Sequence, residues 1–239
     1  MTPLNRIEFV TTPNGARAVR RSWVTPRFAD ALGADRKIEI AAHQQAAQAG
    51  LAPTIYRVDP QWHWAELAFV SGGLLEEDWC DRPQRVRQMQ RSLALLQTLD
   101  AGALPLIDPL ERAAELLARL AAVSPSGAAD LWQRCEMLRR NRPVVTGQPR
   151  RPCLVHGDLN RANVLIGVDD ELQFIDWEYA HRGDPLEDWA GLLVSEPGLR
   201  QAWQQRGEIT AELAWWIACR EVLDGAWLAL RAHLPREAL

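Results

Sequence analysis

A chain of 239 residues with 47% hydrophobic content can bury one large core or two smaller ones, which excludes a mainly disordered chain. Its formal net charge of −4 is interspersed rather than blocked, so it carries neither a nucleic-acid footprint nor a polybasic membrane patch. No apolar run reaches the roughly 18 residues that span a bilayer and the N-terminus lacks a signal-peptide core, so a cytoplasmic protein with a small soluble partner is expected.

Cys80, Cys135, Cys153 and Cys219 are widely scattered, with no CxxC pair and no histidine at zinc-ligand spacing, and read as buried free thiols. Lysine occurs once, at Lys37, so any cationic phosphate contact falls to arginine. The eleven tryptophans serve either core packing or recognition of a flat or cationic ligand.

In chain order, residues 6–10 and 16–21 flank an Asn-Gly turn and predict a hairpin. Residues 35–49 predict a helix with Ile38, Ala42, Gln45 and Ala49 on one side, Glu39 in its first turns and Gly50 as its stop. Residues 53–58 and 64–70 read as strands, and Ser71-Gly72-Gly73 marks a boundary between a unit of residues 1–70 and one of residues 71–239. Helical periodicity follows over 85–99, 109–122 and 129–140, then a Pro- and Arg-rich loop over 141–152 that feeds a short strand, 153–155. Gly183-Asp184-Pro185 signals a turn before a helix carrying Glu187 and Asp188, and residues 209–234 form a last long helix.

The stretch 154–178 carries the chemistry. Asp158 follows His156 by two residues and Asn163 follows Asp158 by five, the spacing of a kinase catalytic loop. Asp176 ends an apolar strand, 172–175, and meets Asn163 across a hairpin whose turn is 167–170. Phosphoryl transfer requires the phosphate charge to be neutralised by metal ions while the attacking oxygen is aligned, and carboxylate and amide oxygens serve both needs. Turn Asp and Asn residues usually only cap backbone groups, but unrelated turns have no reason to reproduce this joint spacing. His156 reads as a structural histidine beneath the loop.

The segments HGDLNRANVL and IDWEYAHRGDPLEDWAGL resemble the aminoglycoside phosphotransferase and choline kinase superfamily, relatives of the protein kinases. The resemblance implies an α+β, two-lobed protein-kinase-like fold with a small, truncated N-terminal sheet lobe and a larger, mainly helical C-terminal lobe. It implies ATP and Mg²⁺ as cofactors, Asp158 as catalytic base or alcohol-orienting carboxylate, Asn163 and Asp176 as metal ligands, Asp188 as a support for the loop, and direct in-line transfer. Residues 4–7, including Asn5, look like the nucleotide loop, although the family's first strand and full glycine-rich loop are missing. Arg20 stands where protein kinases have a lysine, with Glu39 as its partner; Arg21 is the adjacent alternative on the opposite strand face. The backbone at Ala68 and Val70 would pair with adenine. IDWEYA is more similar to the thiamine kinase and choline kinase branch, so the expected acceptor is a small-molecule alcohol, thiamine first, then choline or ethanolamine. Trp177, Glu178 and Trp215 are the acceptor-site candidates; Trp216 points about 100° from Trp215, and core packing competes for each tryptophan. The rivals are an antibiotic phosphotransferase, whose pocket should be rimmed by acids, and a nucleotide-binding pseudokinase.

Overall fold

A computed structural model describes residues 5–23, 34–143 and 150–234. Leu4 and residues 144–149 of the loop expected over 141–152 lie outside the described residues.

The predicted hairpin forms from β1 (Asn5–Thr11) and β2 (Arg17–Trp23), closed at Gly15, whose φ of +85° suits a residue without a Cβ. With β3 (Ile55–Val58) and β4 (Trp64–Ala68) they make an antiparallel sheet of order β1-β2-β4-β3. Register is fixed by pairs such as Arg20 opposite Glu66 and Arg21 opposite Ala65, which puts the two arginines on opposite faces of the sheet.

Helix α1 (Arg36–Gln48) starts where the Asp35 carboxylate accepts from the Lys37 and Ile38 amides. It ends at Gly50, with the Leu51 N–H returning to Ala46 O at 2.8 Å. Its buried face is Glu39, Ile40, Ala42, His43 and Ala46 rather than the predicted face through Ile38 and Gln45. That rotation brings Glu39 inward, and a buried carboxylate needs a partner.

The remainder is mainly helical: α2 (Pro83–Leu96), α3 (Pro109–Val123), α4 (Pro125–Arg140), α5 (Leu186–Ser195), α6 (Pro197–Gln205) and α7 (Ala211–Arg231). Proline stands in the first turn of α2, α3, α4 and α6, where its missing N–H costs nothing. Helices α3, α4 and α5 pack on α7, around a core that includes Leu110, Leu117, Leu120, Ile217 and Val222. Each such side chain contributes about 1.5–3 kcal/mol by burial. Among the described residues no helix is long and apolar enough to cross a membrane. Cys135, Cys153 and Cys219 are buried free thiols as expected, whereas Cys80 is half-buried.

Between α4 and α5 run four short strands, which a fifth from before α2 joins. Strand β6 (Cys153–Val155) pairs with β9 (His181–Gly183), and β5 (Gly73–Leu74), β7 (Val164–Ile166) and β8 (Leu172–Phe174) form a second small sheet. Strands β5 and β9, helix α6 and a 3₁₀ turn at Trp79–Asp81 were not legible as elements in the sequence. At two or three residues, a strand has no periodicity to read.

Candidate active site

The catalytic-loop pattern folds around a glycine. Gly157 has φ +78°, and a Cβ there would stand 2.2 Å from Tyr179 O, so the residue before Asp158 tolerates no side chain. The His156 and Gly157 amides donate to the two carboxylate oxygens of Asp188, at 2.9 and 3.1 Å, from the first turn of α5. Asp188 is thus buried and bonded as an acid supporting the loop would be. His156 is fully buried: its Nε2–H donates to Ile175 O at 2.9 Å and its Nδ1 accepts from the Asp158 amide at 3.3 Å. This ring braces the loop from beneath and is not among the residues lining the cleft.

Downstream, Asn160 caps the 3₁₀ turn Arg161–Asn163 through the Ala162 amide. The turn carries Asn163 beneath Asp158: its Nδ2 donates to Asp158 O at 2.8 Å and to Asp158 Oδ2 at 3.1 Å. The β7–β8 hairpin aligns Val164 with Phe174, and Ile175 donates to Asn163 O at 2.9 Å. Asp176, the next residue, is thereby brought to the same cleft as Asn163 and Asp158. Its φ of +69° is costly for a non-glycine residue and turns the chain so that successive side chains diverge.

The cleft has a volume of about 1100 Å³ and lies between β1, β2 and β4 on one side and the loop, hairpin and α7 on the other. Across it stands Arg21 rather than Arg20. Arg21 ion-pairs with Glu39 at 2.7 Å, Asp176 at 2.5 Å and Glu178 at 3.1 Å. Arg20 lies on the other face of β2, paired with Glu66 at 2.7 Å and stacked over Trp64. The predicted Arg20–Glu39 pair is therefore corrected to Arg21–Glu39; strand alternation admitted both, and only the packing of α1 chooses. Burial opposes the charge on Arg21, but its three acids outweigh that and keep it protonated. Burial raises Glu39 against the pull of Arg21. Glu178 is pushed up to about 8 by burial and by Asp176.

The other sequence candidates divide. Asn5 lines the cleft and its Nδ2 donates to Glu178 at 3.3 Å. Ala68 and Val70 line it too, but the Ala68 N–H is engaged with Thr54 O at 2.7 Å and Val70 O accepts from Gly72. Trp177 does not line an acceptor pocket: it is fully buried, its ring 4.5 Å from that of His156, its Nε1 donating to Phe174 O. Trp215 is likewise core, donating to Leu138 O at 3.0 Å, with Trp216 packed edge-on against it. Phe9 and Phe69 line the cleft on the sheet side, and Tyr179 and Trp227 line it on the helical side, the Trp227 indole N–H donating to the Tyr179 hydroxyl at 2.8 Å.

Sequence reasoning also missed Arg220 and Asp224 on α7. Arg220 donates to Asp158 Oδ1 at 2.7 Å and contacts Asp224 at 2.7 Å. No local motif marks them; only helical spacing of four, which pairs Arg220 with Asp224, was available.

Asn163 and Asp176 offer hard oxygen donors, one neutral and one anionic, which suits Mg²⁺, an ion commonly held by one or two carboxylates together with phosphate oxygens. Asp158 lies beside them, partly exposed to the cleft.

The architecture has close counterparts among solved structures. Choline kinase LicA from Streptococcus pneumoniae superposes with a TM-score of 0.69 at 17% identity, covering 97% of this chain and 83% of that one. LicA in complex with AMP superposes equally well, at 15% identity over 97% and 82%. A macrolide 2′-phosphotransferase from Brachybacterium faecium gives 0.61 at 20% identity over 100% and 88%. These likenesses establish a protein-kinase-like fold. A search of curated protein sequences gave no match. Residues 4–221 match the sequence profile of the phosphotransferase enzyme family, and with nine-tenths of its length so covered the chain belongs to that family.

Proposed function

We propose that the protein is an ATP- and Mg²⁺-dependent kinase of a small-molecule alcohol, with residues 1–70 as the nucleotide lobe and 71–239 as the catalytic and acceptor lobe. The observation that carries this reading is the convergence of Asp158, Asn163 and Asp176 on one cleft faced by the Arg21–Glu39 pair. ATP with Mg²⁺, when bound, would supply the phosphoryl group and neutralise its charge. Asn163 and Asp176 would hold the ion, and Arg21, fixed by Glu39, would orient the phosphates. The Ala68 carbonyl and the Val70 amide would meet adenine, since the opposite backbone groups of these two residues are already bonded. Asp158 would align the acceptor hydroxyl and take its proton.

Thiamine is the first acceptor to test, then choline or ethanolamine. Trp177 and Trp215 are core, so recognition of a singly charged cation falls to Trp227 and Tyr179, with the Glu178 and Asp224 side chains as oxygen acceptors. Among the described residues five acids line the cleft (Asp158, Asp176, Glu178, Glu196, Asp224), matched by five arginines (Arg21, Arg112, Arg161, Arg220, Arg231). That balance leaves no strong negative field for a polycation, which weighs against an aminoglycoside acceptor. The test is ADP release with MgATP against thiamine, choline, ethanolamine, sugars and aminoglycosides. Asp158→Asn should abolish turnover and leave thermal stabilisation by MgATP intact; a variant that turns over like wild type refutes the assignment.

A further inference from the structure

We infer that Arg220 is a positioning residue for phosphoryl transfer, locking the Asp158 carboxylate to the helix that walls the far end of the cleft; the inference rests on the function proposed above. Arg220 projects from the middle of α7, 62 residues beyond Asp158. Its Nη2 donates to Asp158 Oδ1 at 2.7 Å, its Nη1 to Gly157 O at 2.5 Å, and its Nε side contacts Asp224 Oδ1 at 2.7 Å. Two hydrogen bonds and an ion pair orient this planar guanidinium, which grips both the side chain of Asp158 and the backbone just before it.

The other carboxylate oxygen of Asp158 is held by Asn163, so each oxygen has an assigned partner and the plane of the carboxylate is set. What remains exposed of Asp158 faces the cleft. A loose transition state asks the carboxylate for alignment more than for early deprotonation, and a carboxylate half-neutralised by arginine is suited to aligning. Asp224 completes the device. It sits one turn further along α7, lines the cleft beside Trp227, and shares its guanidinium with Asp158, so the acceptor end and the reacting end hang on one side chain. Arg220 lies apart from the Arg21–Glu39 pair, and its removal should therefore spare nucleotide binding.

The test compares wild type, Arg220→Lys, Arg220→Ala and Asp158→Asn in ADP release, with thiamine, choline and ethanolamine as probes and slow MgATP hydrolysis as the acceptor-free reaction. Misplacing a reacting group by about 1 Å costs on the order of 100-fold, so Arg220→Ala should lose about that in kcat, and Arg220→Lys, which keeps the charge but not the fork, about 10-fold. The KM for ATP and the rise in melting temperature with MgATP should stay at wild-type values in both. Guanidinium ion at millimolar concentration should restore activity to Arg220→Ala, which lost folding would not allow. If Arg220→Ala fails to fold, Arg220→Lys decides. A kcat within about threefold of wild type in the folded variant overturns the inference, as does a deficit in folded Arg220→Ala that guanidinium leaves unchanged. Loss in Asp158→Asn without loss in Arg220→Ala refutes the positioning role alone. Wild-type protein that releases no ADP under any of these conditions, or Asp158→Asn as active as wild type, overturns the proposed reaction and this inference together.

Discussion

Neighbouring arginines on β2 should differ sharply in what they hold up. Arg21 is nearly buried, at 8% side-chain exposure, and is the counter-charge for Glu39, which is 4% exposed. Arg21→Met keeps much of the side-chain volume but strands Glu39 without a cation, and breaking a buried pair from one side costs about 3–5 kcal/mol. Trp23 Nε1, at 2.7 Å from Glu39, remains as a donor, and Glu39 is already inclined to hold a proton, so the lower end of that range is expected. For a chain of this length each kcal/mol lowers the melting temperature by about 2–4 °C, giving a fall of roughly 6–12 °C. Arg20→Met removes a third-exposed side chain from Glu66, which Arg57 still holds at 3.0 Å, and should cost under about 1 kcal/mol. Thermal unfolding followed by circular dichroism measures both. MgATP should then raise the melting temperature of Arg20→Met as it does that of wild type and fail to do so for Arg21→Met. Equal destabilisation by the two substitutions, or a larger effect at Arg20, would refute the assignment of the inward-facing cation.

Three further outcomes follow from the same structure. Asp188→Ala leaves the His156 and Gly157 amides buried without acceptors, at about 1–3 kcal/mol each, so it should destabilise the fold and depress kcat together; a variant with wild-type unfolding in urea would contradict this. His43 is held down to about 4, chiefly by burial, against the bond its ring makes to Pro53 O. Because its folded value lies below the unfolded 6.5, the stability it allows is fully present above pH 6.5 and falls as pH drops toward 4, by about 3 kcal/mol. Unfolding free energies measured across that window should decline less steeply in His43→Gln, and identical slopes would exclude the contribution. Trp177→Ala should cost about 3–5 kcal/mol through the cavity it opens beneath His156, whereas Trp227→Ala should raise the acceptor KM with a smaller change in stability; the reverse pattern would restore Trp177 to the cleft.

What the sequence made legible is what lies within one contiguous stretch. Asp158, Asn163 and Asp176 could be brought together on paper because a loop and a hairpin of known period connect them, and the β7–β8 register does bring them to one cleft. Arg21 was not separable from Arg20 on the same grounds. A period of two says that neighbours face opposite ways, but the inward face is chosen by α1, whose buried side is rotated by a residue from the predicted one. Trp177 misled for a related reason: the left-handed turn at Asp176 sends the next side chain inward under His156 and returns Glu178 to the cleft, and no helical or strand period describes that alternation. Arg220 lay furthest from view, because its partner is 62 residues away and the contact exists only once α7 has packed on α5. The Asp158 carboxylate was thus readable from local spacing, while the arginine bonded to it is a product of the tertiary fold. Substitutions far from the loop, on the face of α7 that meets α5, should therefore alter kcat by moving Arg220 even where they touch neither nucleotide nor acceptor.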